Sequence, residues 1–379
     1  MGAALALAEQ LELERSQCES LAVELEQHPQ ARRLTIVANS PRFANWGLCE
    51  YLIERSRAAR FDNGQRTLDY AELALKVSQR LDAQRYGRVA VADLRARTWL
   101  HVANARRIVS ELSSAEAAFR NARHEYRNGT GDKMLQAELL LHIAELRRAQ
   151  RRFSEALRLY DRGVKILRRL EEFDQAGFWL IGKALTHSYG GDPTTAIRTL
   201  DEALSFIDRH RDRRGYAMAH HNRAVALLEL GDMPAALTEL DLARPIFREL
   251  GDSASAMRVH WLEGRIALQL REHEVAETAF LEVREYFVSR GAPYDVALVS
   301  LDLALVFAEQ ARTADMKRLA AEMLPIFQAL GIHREAIAAL LVYQQAAEME
   351  TVSLGLIKEL AAYFEKASKN PALPFRAPT

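Results

Sequence analysis

Histidine, arginine and carboxylate side chains are where this sequence could do chemistry. His220 and His221 are adjacent. On a helix, neighbouring side chains diverge by about 100°, so the two rings do not turn to one metal ion. His273-Glu274 has no second histidine four residues from the first, so it is not a zinc-protease helix. His101 and His142 supply two imidazoles, short of the three or four ligands that a metal site needs. No nucleophile elbow, Walker loop or dinucleotide-binding glycine fingerprint occurs. Cys18 and Cys49 are the only cysteines, with no metal-ligand spacing between them. The expectation is a chain that is not an enzyme and holds no metal or cofactor.

One stretch is strongly basic. Arg147, Arg148, Arg151, Arg152, Arg158, Arg162, Lys165, Arg168 and Arg169 fall within one short span. Such a run could engage RNA or DNA phosphates. Glu145, Glu155, Asp161, Glu171 and Glu172 are interleaved, which is also the pattern of a salt-bridged helical surface. The only aromatics there are Phe153 and Tyr160, and helical periodicity already claims both for packing. Nucleic acid is therefore the less favoured partner.

The totals set the frame for these side chains. The chain has 379 residues, 49% hydrophobic and 27% charged, with 51 basic and 51 acidic side chains. A zero net charge demands neither nucleic acid nor an anionic membrane. No run of 18 apolar residues offers a membrane span, and the N-terminus lacks the basic start of a signal peptide. With two cysteines, a reducing cytoplasm is the expected compartment. Proline and glycine are sparse at 10 and 18, and the dominant Ala, Leu, Glu and Arg are strong helix formers. An all-α chain follows.

Its organisation is a ruler of forty. Small or apolar residues recur at Ala115, Ala156, Ala196, Ala236, Ala276 and Met316, separated by 41, 40, 40, 40 and 40. Seven residues beyond each stand Ala122, Gly163, Ala203, Ala243, Val283 and Met323. Twelve residues before each stand Ala103, Ala144, Ala184, Ala224, Gly264 and Ala304. Each unit thus holds two helices, A and B, with small contact points that let the axes approach closely. Gly191-Asp192 and Gly231-Asp232 read as a left-handed C-terminal turn followed by an N-cap, and Gly131-Asp132 and Gly251-Asp252 as the junctions between units. Pro245 and Pro325 share a place in their units and are expected to interrupt and bend the late B helices.

"TWLHVANARR" (Thr98–Arg107) and "RFSEALRLYDRG" (Arg152–Gly163) resemble the two halves of the tetratricopeptide (TPR) repeat, through Trp99, Val102 and Ala103 and through Ala156, Tyr160 and Gly163. The resemblance covers roughly residues 40 to 370 and is closest to long-helix variants, because the family's usual unit is ~34 residues. It implies a right-handed α-solenoid of about eight hairpins, the terminal ones degenerate. Thr67, Ala71 and Ala74 begin the ruler with a step of 48 to Ala115, and Leu356, Leu360 and Tyr363 end it, with Gln344 at the small A-helix position. Residues 1–40 are expected to form an amphipathic cap and linker, with Leu7, Leu11, Cys18, Leu21 and Leu25 on one side. Arg33–Asn39 is expected to be loop or helix start, 41–370 the superhelix, and 371–379 a flexible tail.

The resemblance also implies a concave groove lined by A helices. Carried onto this chain, its ligand-facing positions are Leu100, Leu141, Ile181, His221, Trp261 and Leu301, then Asn104, Glu145, Leu185, Val225, Arg265 and Leu305. One turn earlier come Arg97, Glu138, Phe178, Met218, Arg258 and Leu298. The partner-binding candidates are Phe178, His221, Arg258, Trp261, Arg265 and Asn104, the aromatic and arginine side chains because these dominate binding hot spots. The alternative for the apolar positions is simple packing between A helices. The carboxylate clamp of chaperone-binding TPRs is matched only by Asn104, so that role is not expected. The implied function is a scaffold or adaptor binding a partner protein or peptide. The alternatives are a peptide-sensing regulator of the bacterial Rap type and an RNA-binding helical repeat. Pairing of end units is a route to a homo-oligomer.

Overall fold

The computed structural model describes residues 2–60, 63–329, 343, 347, 352–367 and 373–375. Every regular element among them is helical. In chain order they are α1 (Gly2–Glu26), α2 (Gln30–Asn39), α3 (Trp46–Ala59), α4 (Gly64–Arg80), α5 (Ala83–Tyr86), α6 (Arg88–Ile108), α7 (Leu112–Arg127), α8 (Lys133–Ala149) and α9 (Phe153–Arg169). Then come α10 (Phe173–Tyr189), α11 (Pro193–Phe206), α12 (Arg213–Glu229), α13 (Met233–Glu249), α14 (Ser253–Gln269), α15 (His273–Ser289), α16 (Pro293–Glu309), α17 (Thr313–Ala329) and α18 (Leu354–Ala367). A single 3₁₀ turn, Pro41–Phe43, precedes α3. Arg33–Asn39, expected as loop or helix start, belongs to the helix α2. Gln344 and most of 371–379 lie outside the described residues.

The forty-residue ruler is the helix spacing itself. A helices α8, α10, α12, α14 and α16 begin at residues 133, 173, 213, 253 and 293. B helices α9, α11, α13, α15 and α17 begin at 153, 193, 233, 273 and 313. The long first step is taken up by α5 and by the 21-residue α6. The small residues are the contact points: Ala103, Ala144 and Ala224 are 0% exposed, as are Ala115, Ala156, Ala196, Ala236 and Ala276. Gly163 shows why. A Cβ there would lie 2.5 Å from Leu141 Cγ, so the hairpin α8–α9 closes only around a bare α-carbon.

The turns carry a second regularity. Ser110, Arg151, Gly191, Gly231, Arg271 and Ala311 all have positive φ, between 55° and 84°. They sit at the A-to-B turns, each followed by a backbone bond of the paired C-terminal type. Asp192 N donates to His187 O at 3.0 Å and Gly191 N to Ser188 O at 2.9 Å. Arg152 N to Arg147 O and Arg151 N to Arg148 O repeat the pattern without glycine. After these turns Asp192 and Asp232 cap α11 and α13, accepting from the Thr195 and Ala235 amides, and at the junctions between units Asp212 and Asp252 cap α12 and α14, accepting from the Gly215 and Ser255 amides. Pro245 and Pro325 do not interrupt their helices; α13 and α17 run through them. Pro245 removes only the bond to the carbonyl of Asp241, an exposed residue.

The chain divides into two compact units, Met1–Trp179 and Leu180–Thr379, the division falling inside α10. In the first, α1 packs on α3. Leu21 and Leu25 are buried with Leu48, Leu52 and Leu73, and Leu7, Leu11 and Cys18 pack at the edge of the same cluster. Buried Glu14 of α1 accepts from Trp46 N and Tyr86 Oη, both at 2.7 Å. In the second, α18 packs on α16, and Ile357, Leu360 and Phe364 join a core with Leu301, Leu303 and Phe280.

Candidate functional site

On the A helices of the first unit, charged groups lie beside opposite charges: Arg97 Nε and Glu138 Oε2 make no hydrogen bond but stand 3.7 Å apart. Leu100 and Leu141, expected as ligand-facing, are 0% exposed and serve packing. Asn104 is buried, and its Oδ1 accepts from Arg107 Nε at 3.1 Å and Nη2 at 2.9 Å. His101 and His142, on α6 and α8, are buried with ring centroids 6.3 Å apart, and Trp179 meets His142 edge-on at 4.9 Å. The His142 Nδ1–H donates to Glu138 O at 2.9 Å. Burial, more than the nearby arginines, pushes His142 down to about 3 and His101 well below its ordinary value. Both are neutral packing groups near neutral pH. Phe178 is half-buried, with Arg60 stacked over it at 5.6 Å and Trp179 against its edge.

The A helices of the second unit differ. Ile181 and Leu301 are again buried. Around them, α12, α14 and α16 present polar groups that lack partners. Arg258 and Arg265 stand on α14, seven residues and so roughly 10 Å apart along the axis. Both are exposed, and among the described residues neither guanidinium makes a hydrogen bond or ion pair. Between them Trp261 is half-buried against Phe287, and its Nε1 donates to Asp302 Oδ2 on α16 at 2.7 Å. Burial raises the Asp302 carboxyl, against the pull of Arg265. Asp295, one heptad earlier, is also raised by burial, with Arg258 opposing.

His221 completes the row from α12. Burial, then the Arg258 charge, lowers it to about 4, and its Nδ1 is buried without a hydrogen-bond partner. Tyr294 Oη, at the start of α16, is equally unpartnered. His220 points elsewhere, its Nδ1 meeting Glu239 Oε2 on α13 at 2.6 Å. The adjacent histidines thus serve different faces, as helix geometry requires.

Of the six candidates, Asn104 and Phe178 belong to the first unit. His221, Arg258, Trp261 and Arg265 share the A-helix face of the second. Asp295, Asp302 and Tyr294 were not among the sequence candidates. For the two acids a signal was available: in the apolar run "PYDVALVSLDLALVFAE" the acids Asp295, Asp302 and Glu309 recur every seven residues. An acid at heptad spacing on an otherwise apolar helix marks one face with a partner to meet. No group of three or more His, Cys, Asp or Glu able to hold a metal ion exists among the described residues. No helix there is long and apolar enough to cross a membrane.

No protein-family model matches the chain, and no curated protein matches it. Solved structures do. Aspartyl phosphate phosphatase F from Bacillus subtilis is similar over 74% of this chain and 70% of its own, with a TM-score of 0.56 at 12% identity. A Rap protein complexed with Competence and Sporulation Factor is similar over 93% of this chain and 99% of its own, at 0.51 and 13%. NprR in complex with its cognate peptide NprX is similar over 84% and 92%, at 0.52 and 15%. At such identities the likeness speaks for architecture alone, and with the forty-residue hairpin spacing it gives this chain the TPR-type helical-repeat fold.

Proposed function

We propose that the chain is a binding protein without chemistry of its own, which takes an extended peptide segment on the A-helix face of its second unit. The observation that carries this reading is the row of unanswered polar groups there. Arg258 and Arg265 are exposed and unpaired among the described residues, and His221 Nδ1 and Tyr294 Oη are buried without partners. Native interiors rarely leave buried atoms such as the last two unsatisfied. A peptide main chain offers alternating carbonyls and amides to meet them. The roughly 10 Å between the two arginines corresponds to about three residues of extended chain. Trp261, pinned by Asp302, supplies the apolar anchor of such a site.

Two similar structures, one complexed with Competence and Sporulation Factor and one with the peptide NprX, support a peptide as ligand over a folded domain. They favour a second, narrower reading, in which peptide binding regulates another protein. A cytoplasmic location agrees with either. The test is a thermal-shift screen of short peptides against the full chain and against Arg258→Ala and Arg265→Ala. A peptide that raises the melting temperature of the wild type and of neither variant supports the site. Equal shifts in all three place the ligand elsewhere. A pull-down that yields one stable folded partner, lost in both variants, with no peptide response, supports the scaffold reading instead.

A further inference from the structure

The basic stretch singled out in the sequence does not behave as one surface. A groove of about 550 Å³ opens between the B helices α7 and α9, with α8 as its floor. That size lies in the ordinary range of ligand sites, about 300–1,000 Å³. The floor is apolar, from Leu139, Leu140, Ile143 and Leu159. The rim is basic. Arg123 and Arg127 stand one turn apart on α7, and Arg158 and Arg162 one turn apart on α9. All four are exposed, and among the described residues none makes a hydrogen bond or ion pair. The lining acid, Glu155, is already engaged by Arg152 at 2.7 Å. The fifth lining arginine, Arg147, is engaged by Glu116.

The repeat supplies an internal control. Three hairpins on, the same place between α13 and α15, floored by α14, is lined by Arg244, Arg248, Val259, His260, Glu263 and Glu282. Here Arg244 stands where Arg123 stood, Glu263 where Ile143 stood and Glu282 where Arg162 stood, by the 120- and 121-residue offsets of the ruler. The chain fills this groove with its own carboxylates. Glu263 pairs with Arg244 at 2.6 Å and with His260 at 3.2 Å, and Glu282 pairs with His260 at 2.9 Å. What remains is about 160 Å³. The first groove keeps the cations, has Ile143 and Arg162 in place of the carboxylates Glu263 and Glu282, and gains apolar floor.

We infer that the α7–α8–α9 groove is a second docking site, whose occupant is an acidic amphipathic segment of a partner protein. Its carboxylates would take the place that Glu263 and Glu282 hold in the later groove, and its apolar side chains would cover Leu139, Leu140, Ile143 and Leu159. A helix with an apolar face and acidic flanks meets both demands. A nucleic acid would satisfy the arginines but leave the apolar floor wet, and the lining offers only Tyr126 as a stacking surface.

The experiment is fluorescence anisotropy on the full chain with three labelled probes. One is a synthetic helix with leucine at i, i+3, i+4 and i+7 and glutamate elsewhere. The second is the same peptide with lysine for glutamate, and the third a single-stranded oligo-uridine. The glutamate peptide is expected to bind saturably and the lysine peptide not at all. Arg158→Glu with Arg162→Glu, both exposed, is expected to weaken binding roughly tenfold or more while its circular-dichroism melt overlays the wild type. Arg265→Ala is expected to leave this binding unchanged, which separates it from the A-helix site. Absence of saturable glutamate-peptide binding, equal binding by the charge-reversed variant, or tighter binding of oligo-uridine each overturns the inference.

Discussion

Trp261 and Asp302, forty-one residues apart, are joined by a 2.7 Å hydrogen bond from the indole nitrogen of α14 to a half-buried carboxylate on α16. The bond ties two successive A helices at the point where the candidate peptide site lies. Removing the donor strands an acceptor in a poorly hydrated place. Trp261→Phe is expected to lower unfolding free energy by about 1–3 kcal/mol, read from urea melts. Asp302→Asn retains an acceptor oxygen and is expected to lose less. A Trp261→Phe midpoint equal to the wild type would show that the bond adds nothing to stability.

Gly163 gives the sharpest test of hairpin packing. Its missing Cβ would fall 2.5 Å from Cγ and 2.6 Å from Cδ2 of Leu141, which is 0% exposed. Gly163→Ala gains helix propensity but overpacks, with an expected net loss of about 1–3 kcal/mol. Leu141→Ala in the same chain makes room, so the double variant should be less destabilised than the sum of the two singles. Strict additivity would mean that the two residues do not meet. Ala224→Trp, at a fully buried contact, should unfold several hairpins together.

The A-to-B turns predict opposite effects for opposite substitutions. Arg151, Arg271 and Ala311 hold φ near +60° without being glycine. A side chain in that region is strained by about 1–2 kcal/mol, partly offset by glycine's greater unfolded-state freedom. Each change to glycine is therefore expected to raise stability by a few tenths to about 1 kcal/mol. Gly231→Ala, at φ 81°, should lose about 1 kcal/mol. Melting temperatures of the four variants decide it, and a destabilised Arg271→Gly would contradict the turn geometry.

His142 makes stability depend on pH with a definite sign. In the folded chain it is lowered to about 3, first by burial, with Arg107, Arg60 and Arg57 adding to the effect. In the unfolded chain a histidine titrates near about 6.5. As pH falls below about 6.5 the unfolded chain takes the proton first, so stability is fully present above that value and declines towards pH 3. His101 and His221 act in the same direction. His260, raised by Glu263, acts in the opposite one. The difference between wild type and His142→Gln isolates one residue. Between pH 7 and 4.5 the variant's melting temperature should fall less steeply, and parallel curves would mean that His142 titrates freely.

The sequence by itself determined the array. Helix propensity, the forty-residue spacing of Ala103, Ala144, Ala184, Ala224, Gly264 and Ala304, and the Gly-Asp turns are local or periodic signals. Periodic burial of a small side chain leaves a mark on every unit. The turns at Arg151, Arg271 and Ala311 were hidden because the left-handed conformation there is imposed by the packing of both helices and not by the residue type. The site was only half legible. Periodicity put Arg258, Trp261 and Arg265 on one face, but a periodic position does not say whether a side chain is spent on its neighbours. Leu100 and Asn104 occupy the same repeat positions as Trp261 and Arg265 and are buried. Only tertiary structure decided which cations go unanswered, because pairing depends on what adjacent helices bring within about 4 Å. Arg244 meets a carboxylate there, whereas Arg123 finds none among the described residues.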